Sequence, residues 1–116
     1  MNRRKTEQYM YGDCYLLADS IHDVTGGWHN GGWERVQRGH GQDAHALVRT
    51  PDGKLLDAEG LHEDTGDTEP FHDDLWFPLG EVCRWPDDQT RADAIKLLTE
   101  LGFADAVKQV EIHDPS

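Results

Sequence analysis

Three residues of this chain carry the side chains a thiol enzyme needs, in the order Cys14, His45, Asp57. A cysteine attacks a carbonyl as its thiolate, so something must take its proton and stabilise the charge left behind. A histidine within hydrogen-bond reach is the usual base near neutral pH. A carboxylate on the far side of the imidazole fixes its tautomer and orientation. Such a set attacks amides and thioesters through a covalent cysteine intermediate. Taken singly, each residue has a structural reading: a small buried cysteine, a strand-end histidine, an aspartate bonded to a nearby turn. Their order and setting distinguish the catalytic reading.

The elements that must position them are legible. Residues 13–24, DCYLLADSIHDV, predict a helix with Asp13 as N-cap and Gly26 in a left-handed turn beyond its end. Cys14, Leu17 and Ile21 share one face, and Cys14 falls in the first turn. There the helix N-terminus favours a thiolate, and the Cys14 N–H is a candidate oxyanion donor. Gly12 lets a substrate approach the backbone. Residues 44–59, AHALVRTPDGKLLDAE, predict a hairpin, with two apolar-rich runs flanking Pro51, Asp52 and Gly53. If Thr50 pairs with Lys54, His45 faces Glu59, and Asp57 lies diagonally on the same face. A shift of two residues opposes His45 and Asp57 directly; a shift of one separates them onto opposite faces.

The segments YGDCYLLADSIHDVTG and HALVRTPDGKLLDAEG resemble a compact papain-like or transglutaminase-like domain over residues 8–60. The resemblance implies a helix that begins at the cysteine, with the histidine and aspartate on adjacent strands. It implies Cys14 as nucleophile, His45 as general base and acid, and Asp57 as orienting carboxylate. Gln8, six residues before Cys14, stands where papain-like enzymes carry an oxyanion-binding glutamine. The long substrate-binding insertions of ordinary proteases are missing, and residues after 60 have no family counterpart, so no substrate class follows.

The rest of the chain completes an α+β expectation: a helix carrying the cysteine, packed on a short antiparallel sheet, with a further C-terminal helix. Residues 1–11 read as a short helix or an extended arm. A short strand is expected around Trp33–Gln37 within a glycine-rich loop spanning residues 26–43. Residues 60–74, GLHEDTGDTEPFHDD, read as an acidic loop, and residues 75–86 as a core-packing segment. Residues 87–101 predict a helix capped by Asp87 or Asp88 and ended by Gly102, with Ala94, Leu97, Leu98 and Leu101 as its apolar stripe. Residues 105–112 read as a last strand. At 116 residues one domain is expected.

Charge suggests a different class of function. Lys and Arg total 11 against 23 Asp and Glu, a net charge of −12, so phosphate-rich partners are repelled and direct nucleic-acid binding is not expected. Basic partners are attracted instead. The alternative to an enzyme is therefore an acidic inhibitor that mimics nucleic acid on a basic protein surface, as small acidic proteins of phages and mobile elements do, anti-CRISPR proteins among them. The plain reading of the charge is solubility. Glu59, His62, Glu63, Asp64, His72, Asp73 and Asp74 are metal-capable, but no HExxH or other ligand spacing is present. They read as a solvated acidic stretch, with no metal and no cofactor expected. His22, His29, His40 and His113 carry no assignment. Cys14 and Cys83 make no disulfide framework, and Cys83 reads as core. The start MNRRKTEQYMY lacks an apolar core segment, and no stretch approaches a membrane span, so a cytoplasmic protein with no membrane partner is expected.

Overall fold

The structure, a computed structural model, describes residues 2–26, 32–39, 44–70 and 86–107. Three helices lie in it: α1 (Arg3–Tyr11), α2 (Cys14–Val24) and α3 (Asp88–Glu100), with a 3₁₀ turn at Ala104–Ala106. Five strands complete it: β1 (Glu34–Arg38), β2 (His45–Arg49), β3 (Leu55–Asp57), β4 (Gly60–His62) and β5 (Thr68–Pro70). They form one antiparallel sheet in the order β4-β3-β2-β1-β5. The architecture is α+β, with Cys14 opening a helix and a further helix toward the C-terminus. Among the described residues no helix is long and apolar enough to cross a membrane.

Local chemistry sets the helix ends. The side chain of Asn2 caps α1 at the N–H of Lys5. α2 ends at Thr25, and Gly26 follows with φ 72°, the left-handed conformation its position asks for. Asp87 and Thr90 cap α3 reciprocally, each side chain accepting from the other's backbone N–H. At its far end the Gly102 N–H donates to Thr99 and the Phe103 N–H to Leu98, a Schellman ending that requires Gly102 at φ 90°.

α2 is the central element, touching α1, α3 and strands β1 to β3. Its Leu17, Ala18, Ile21 and Val24 pack with Ala94, Leu97 and Leu98 of α3 and with Ala46, Val48 and Leu56 of the sheet. Val36, Leu47 and Leu55 form a smaller cluster. Polar ties lock the helices together. The buried Tyr9 hydroxyl donates to Asp93 at 2.7 Å, and Lys5 and Gln89 reach the same carboxylate. Arg91 pairs with Asp23 at 2.7 Å, and Arg35 of β1 pairs with the buried Asp19 at 2.7 Å. The corner between α1 and α2, from which Cys14 projects, is thereby fixed on both sides.

One expectation needs correction. Residues 60–74 read as an acidic loop, yet Gly60–His62 and Thr68–Pro70 are strands at the two edges of the sheet. Three-residue strands are too short to show an alternating pattern, so only pairing with β3 and β1 defines them. Residues 104–106 turn as a 3₁₀ helix. Most of the strand expected at 105–112, the segment 75–85 with Cys83, and His29, His40, His72 and His113 lie outside the described residues.

Candidate active site

Cys14 is the first residue of α2, reached through a two-residue corner. The N–H groups of Gly12 and Asp13 both donate to the Gln8 carbonyl, at 3.1 and 2.9 Å, and the Leu17 N–H then bonds back to Asp13 to begin the helix. Asp13 holds the N-cap position, but its side chain does not cap the helix. Its carboxylate accepts from Gln8 Nε2 at 2.9 Å instead. The first turn of α2 therefore keeps its N–H groups clear of a capping side chain, which suits a thiolate at that end.

The hairpin fixes the other two residues. Lys54 accepts from the Thr50 N–H at 2.8 Å, and the Gly53 N–H closes the turn onto Thr50 at 2.9 Å. Val48 pairs with Leu56 and Arg49 with Leu55. This is the Thr50–Lys54 register, which places His45 and Asp57 diagonally on one face. The diagonal is closed: His45 Nε2 lies 2.9 Å from Asp57 Oδ2. The Cys14 sulfur lies near enough to the His45 ring for the two to act on each other electrostatically, and with Nε2 given to Asp57 the Nδ1 is the nitrogen left to face the sulfur. The Ala46 and Tyr15 N–H groups are also close to that sulfur and favour its charged form. N–H directions alternate along a strand, so Thr50, Val48 and Ala46 all aim toward β3. Ala46 lies past the paired stretch, and its N–H is left for Cys14.

The three groups tune one another. Burial raises the Cys14 thiol, but the His45 hydrogen bond and charge and the two backbone donors outweigh it, and the net displacement is downward. Asp57 first, then Cys14, push His45 up from 6.5 to about 9 against the opposing effect of burial. Burial likewise raises Asp57, yet the hydrogen bonds from His45, His62 and the Glu59 N–H hold it below the usual carboxylate range. The combination favours a thiolate–imidazolium pair backed by an ionised aspartate.

The site contains a fourth group. His62 Nε2 lies 2.8 Å from Asp57 Oδ1, and the Glu59 N–H donates to the same oxygen at 2.9 Å. The sequence signal was Asp57-x-x-Gly60-x-His62, a tight turn that returns a histidine beside the aspartate, obscured by the acidic residues that follow. One ligand atom each from Asp57, Glu59 and His62 lie within 4.8 Å of one another, so these residues have the donor set for a divalent metal. Gln8 is exposed, with its amide engaged by Asp13 next to the nucleophile. A cleft of about 360 Å³ lies between α1 and the β3–β4 turn, lined by Arg3, Thr6, Glu7, Met10, Tyr11 and Glu59. Compared with known proteins, the chain matches no family model, no curated protein and no solved structure.

Proposed function

We propose that this protein is a small papain-like thiol hydrolase or acyl transferase acting on an amide or thioester through an acyl-Cys14 intermediate. The observation that carries the reading is the joined set Cys14, His45 and Asp57, with the sulfur at a helix N-terminus and the imidazole held by a buried carboxylate. The Cys14 thiolate attacks the carbonyl carbon, and the carbonyl electron pair moves onto oxygen. N–H groups of the first α2 turn receive that oxyanion, and Gln8 is suited to help, because its amide has a second N–H beyond the one given to Asp13. The tetrahedral adduct collapses, the C–N or C–S bond breaks, and His45 protonates the leaving nitrogen or sulfur. Neutral His45 then takes a proton from water, or from an acceptor amine or alcohol, which attacks the thioester and releases Cys14. The scheme needs no cofactor.

The rival reading, an acidic mimic, requires carboxylates displayed together to a partner. Asp19, Asp23, Asp64, Asp67 and Asp93 each pair with an arginine or lysine of the chain itself, so such a display would rest on other carboxylates.

Incubation with a panel of peptidyl thioesters and activated amides, followed by intact-mass measurement, tests the proposal. The expected result is a covalent adduct on wild type that localises to Cys14 and is lost in Cys14→Ala. If no donor acylates Cys14, and Cys14→Ala keeps every biological effect of the wild type while high salt abolishes binding to a basic partner, the mimic replaces the enzyme.

A further inference from the structure

We infer that His62 is a positioning residue that holds Asp57, and through it His45, as the fourth member of a Cys14–His45–Asp57–His62 relay. The inference rests on the thiol-enzyme reading and adds to it a residue which the order of catalytic types does not point to. Asp57 ends the middle strand of three, with β2 on one side and β4 on the other. On the β4 side Asp57 pairs with Gly60 and Leu55 with His62. His62 is thus diagonal to Asp57 across β3 and β4, as His45 is diagonal to it across β2 and β3. Gly60 stands directly opposite Asp57 at the end of the turn through Ala58 and Glu59. Its φ of 118° is a conformation that L side chains rarely adopt, so the tight turn that brings His62 back beside Asp57 depends on this glycine.

Hydrogen-bond roles follow from the chemistry. An ionised carboxylate only accepts, so both imidazoles present Nε2–H to Asp57. Oδ2 accepts from His45, and Oδ1 accepts from His62 and from the Glu59 N–H. Three donors on two oxygens stop the carboxylate from rotating about its Cβ–Cγ bond. With its plane fixed, the His45 ring is fixed too, and Nδ1 stays directed at Cys14. Removing His62 leaves Oδ1 only the Glu59 N–H, which comes from a turn and not from a paired strand. Asp57 is 6% exposed while the His62 ring beside it is 36% exposed, so the carboxylate is buried behind a partly open imidazole.

The test is the rate at which iodoacetamide alkylates Cys14 between pH 5 and 10, followed by peptide-resolved mass spectrometry so that Cys83 is counted separately. The full chain is compared with His62→Leu, which keeps volume and loses the donor, and with His62→Gln, which keeps an N–H at similar reach. His45→Ala is the control for the underlying reading. The expected results are a roughly tenfold slower reaction near pH 6.5 for His62→Leu, with the acid limb moved toward alkaline pH, and rates within about threefold of wild type for His62→Gln. A His62→Leu protein that is less stable but alkylates with the wild-type rate and limb, well below its melting temperature, overturns the inference. If His62→Leu does not fold, His62→Gln decides: a loss as large as that of His45→Ala overturns it. If EDTA slows wild type to the His62→Leu rate, His62 acts as a metal ligand and the inference is wrong. If His45→Ala alkylates as fast as wild type, the thiol-enzyme reading fails and the relay fails with it. If His45→Ala is slow while His62→Leu is not, only the relay fails.

Discussion

Replacing Asp57 with Asn tests the electrostatics of the site most directly. Asp57 is the largest cause of the upward displacement of His45, from 6.5 to about 9. At pH 7.5 a histidine titrating at about 9 is about 97% protonated, whereas one returned to about 6.5 is about 9% protonated. The imidazolium that stabilises the Cys14 thiolate is therefore depleted by up to about tenfold, the limit in which none of the displacement survives, because Cys14 also raises His45. Asn adds a second fault. Its NH₂ cannot face an Nε2–H, so either the amide turns or His45 adopts the other tautomer and presents Nδ1–H to the sulfur. Both faults act in the same direction. The assay is the second-order rate of Cys14 alkylation by iodoacetamide as a function of pH. Wild type is expected to react with an acid limb below the ordinary thiol range, because Cys14 is displaced downward from 9.0. Asp57→Asn is expected to react more slowly at pH 7.5, by up to about tenfold, with its limb moved to higher pH. A wild-type limb at or above the ordinary thiol range refutes the reasoning, and so does an Asp57→Asn limb that coincides with that of wild type.

Three further outcomes follow from the geometry. The His45–Asp57 contact raises a histidine in the folded state, so its contribution to stability is complete below about pH 6.5 and fades as pH rises through about 9. The melting-temperature gap between wild type and Asp57→Asn should narrow across that window, corresponding to at most about 3 kcal/mol, and a gap that widens there contradicts the assignment. Gly60→Ala forces a side chain onto φ 118° and should cost about 1–3 kcal/mol in urea unfolding while slowing Cys14 alkylation; an unchanged midpoint would show that the turn tolerates the side chain. Asp87→Ala removes the reciprocal cap of α3 and should cost about 1 kcal/mol in thermal unfolding, with Cys14 alkylation unchanged.

Much of this arrangement is written locally in the sequence. Pro51, Asp52 and Gly53 set the hairpin turn, the turn sets the Thr50–Lys54 register, and strand periodicity then puts His45 and Asp57 on one face. The cysteine at the first position of α2, the left-handed glycines after α2 and α3, and the reciprocal cap of α3 depend equally on neighbours in the chain. Asp13 illustrates the limit of that logic: it takes the N-cap position, but a residue of the preceding helix, Gln8, captures its side chain. The edge strands β4 and β5 were illegible because Gly60–His62 and Thr68–Pro70 are too short for periodicity and rich in polar neighbours.

The sequence by itself determined which residues could do thiol chemistry and that two of them share a strand face if Thr50 pairs with Lys54, because turn type and side-chain alternation are short-range properties. Tertiary structure alone decided that the start of α2 meets the start of β2, where an Ala46 N–H lies past its ladder. It alone also decided that β4 returns His62 to Asp57. Both depend on how helices and strands distant in sequence pack, and helix packing onto a sheet is set by summed burial that no single segment encodes.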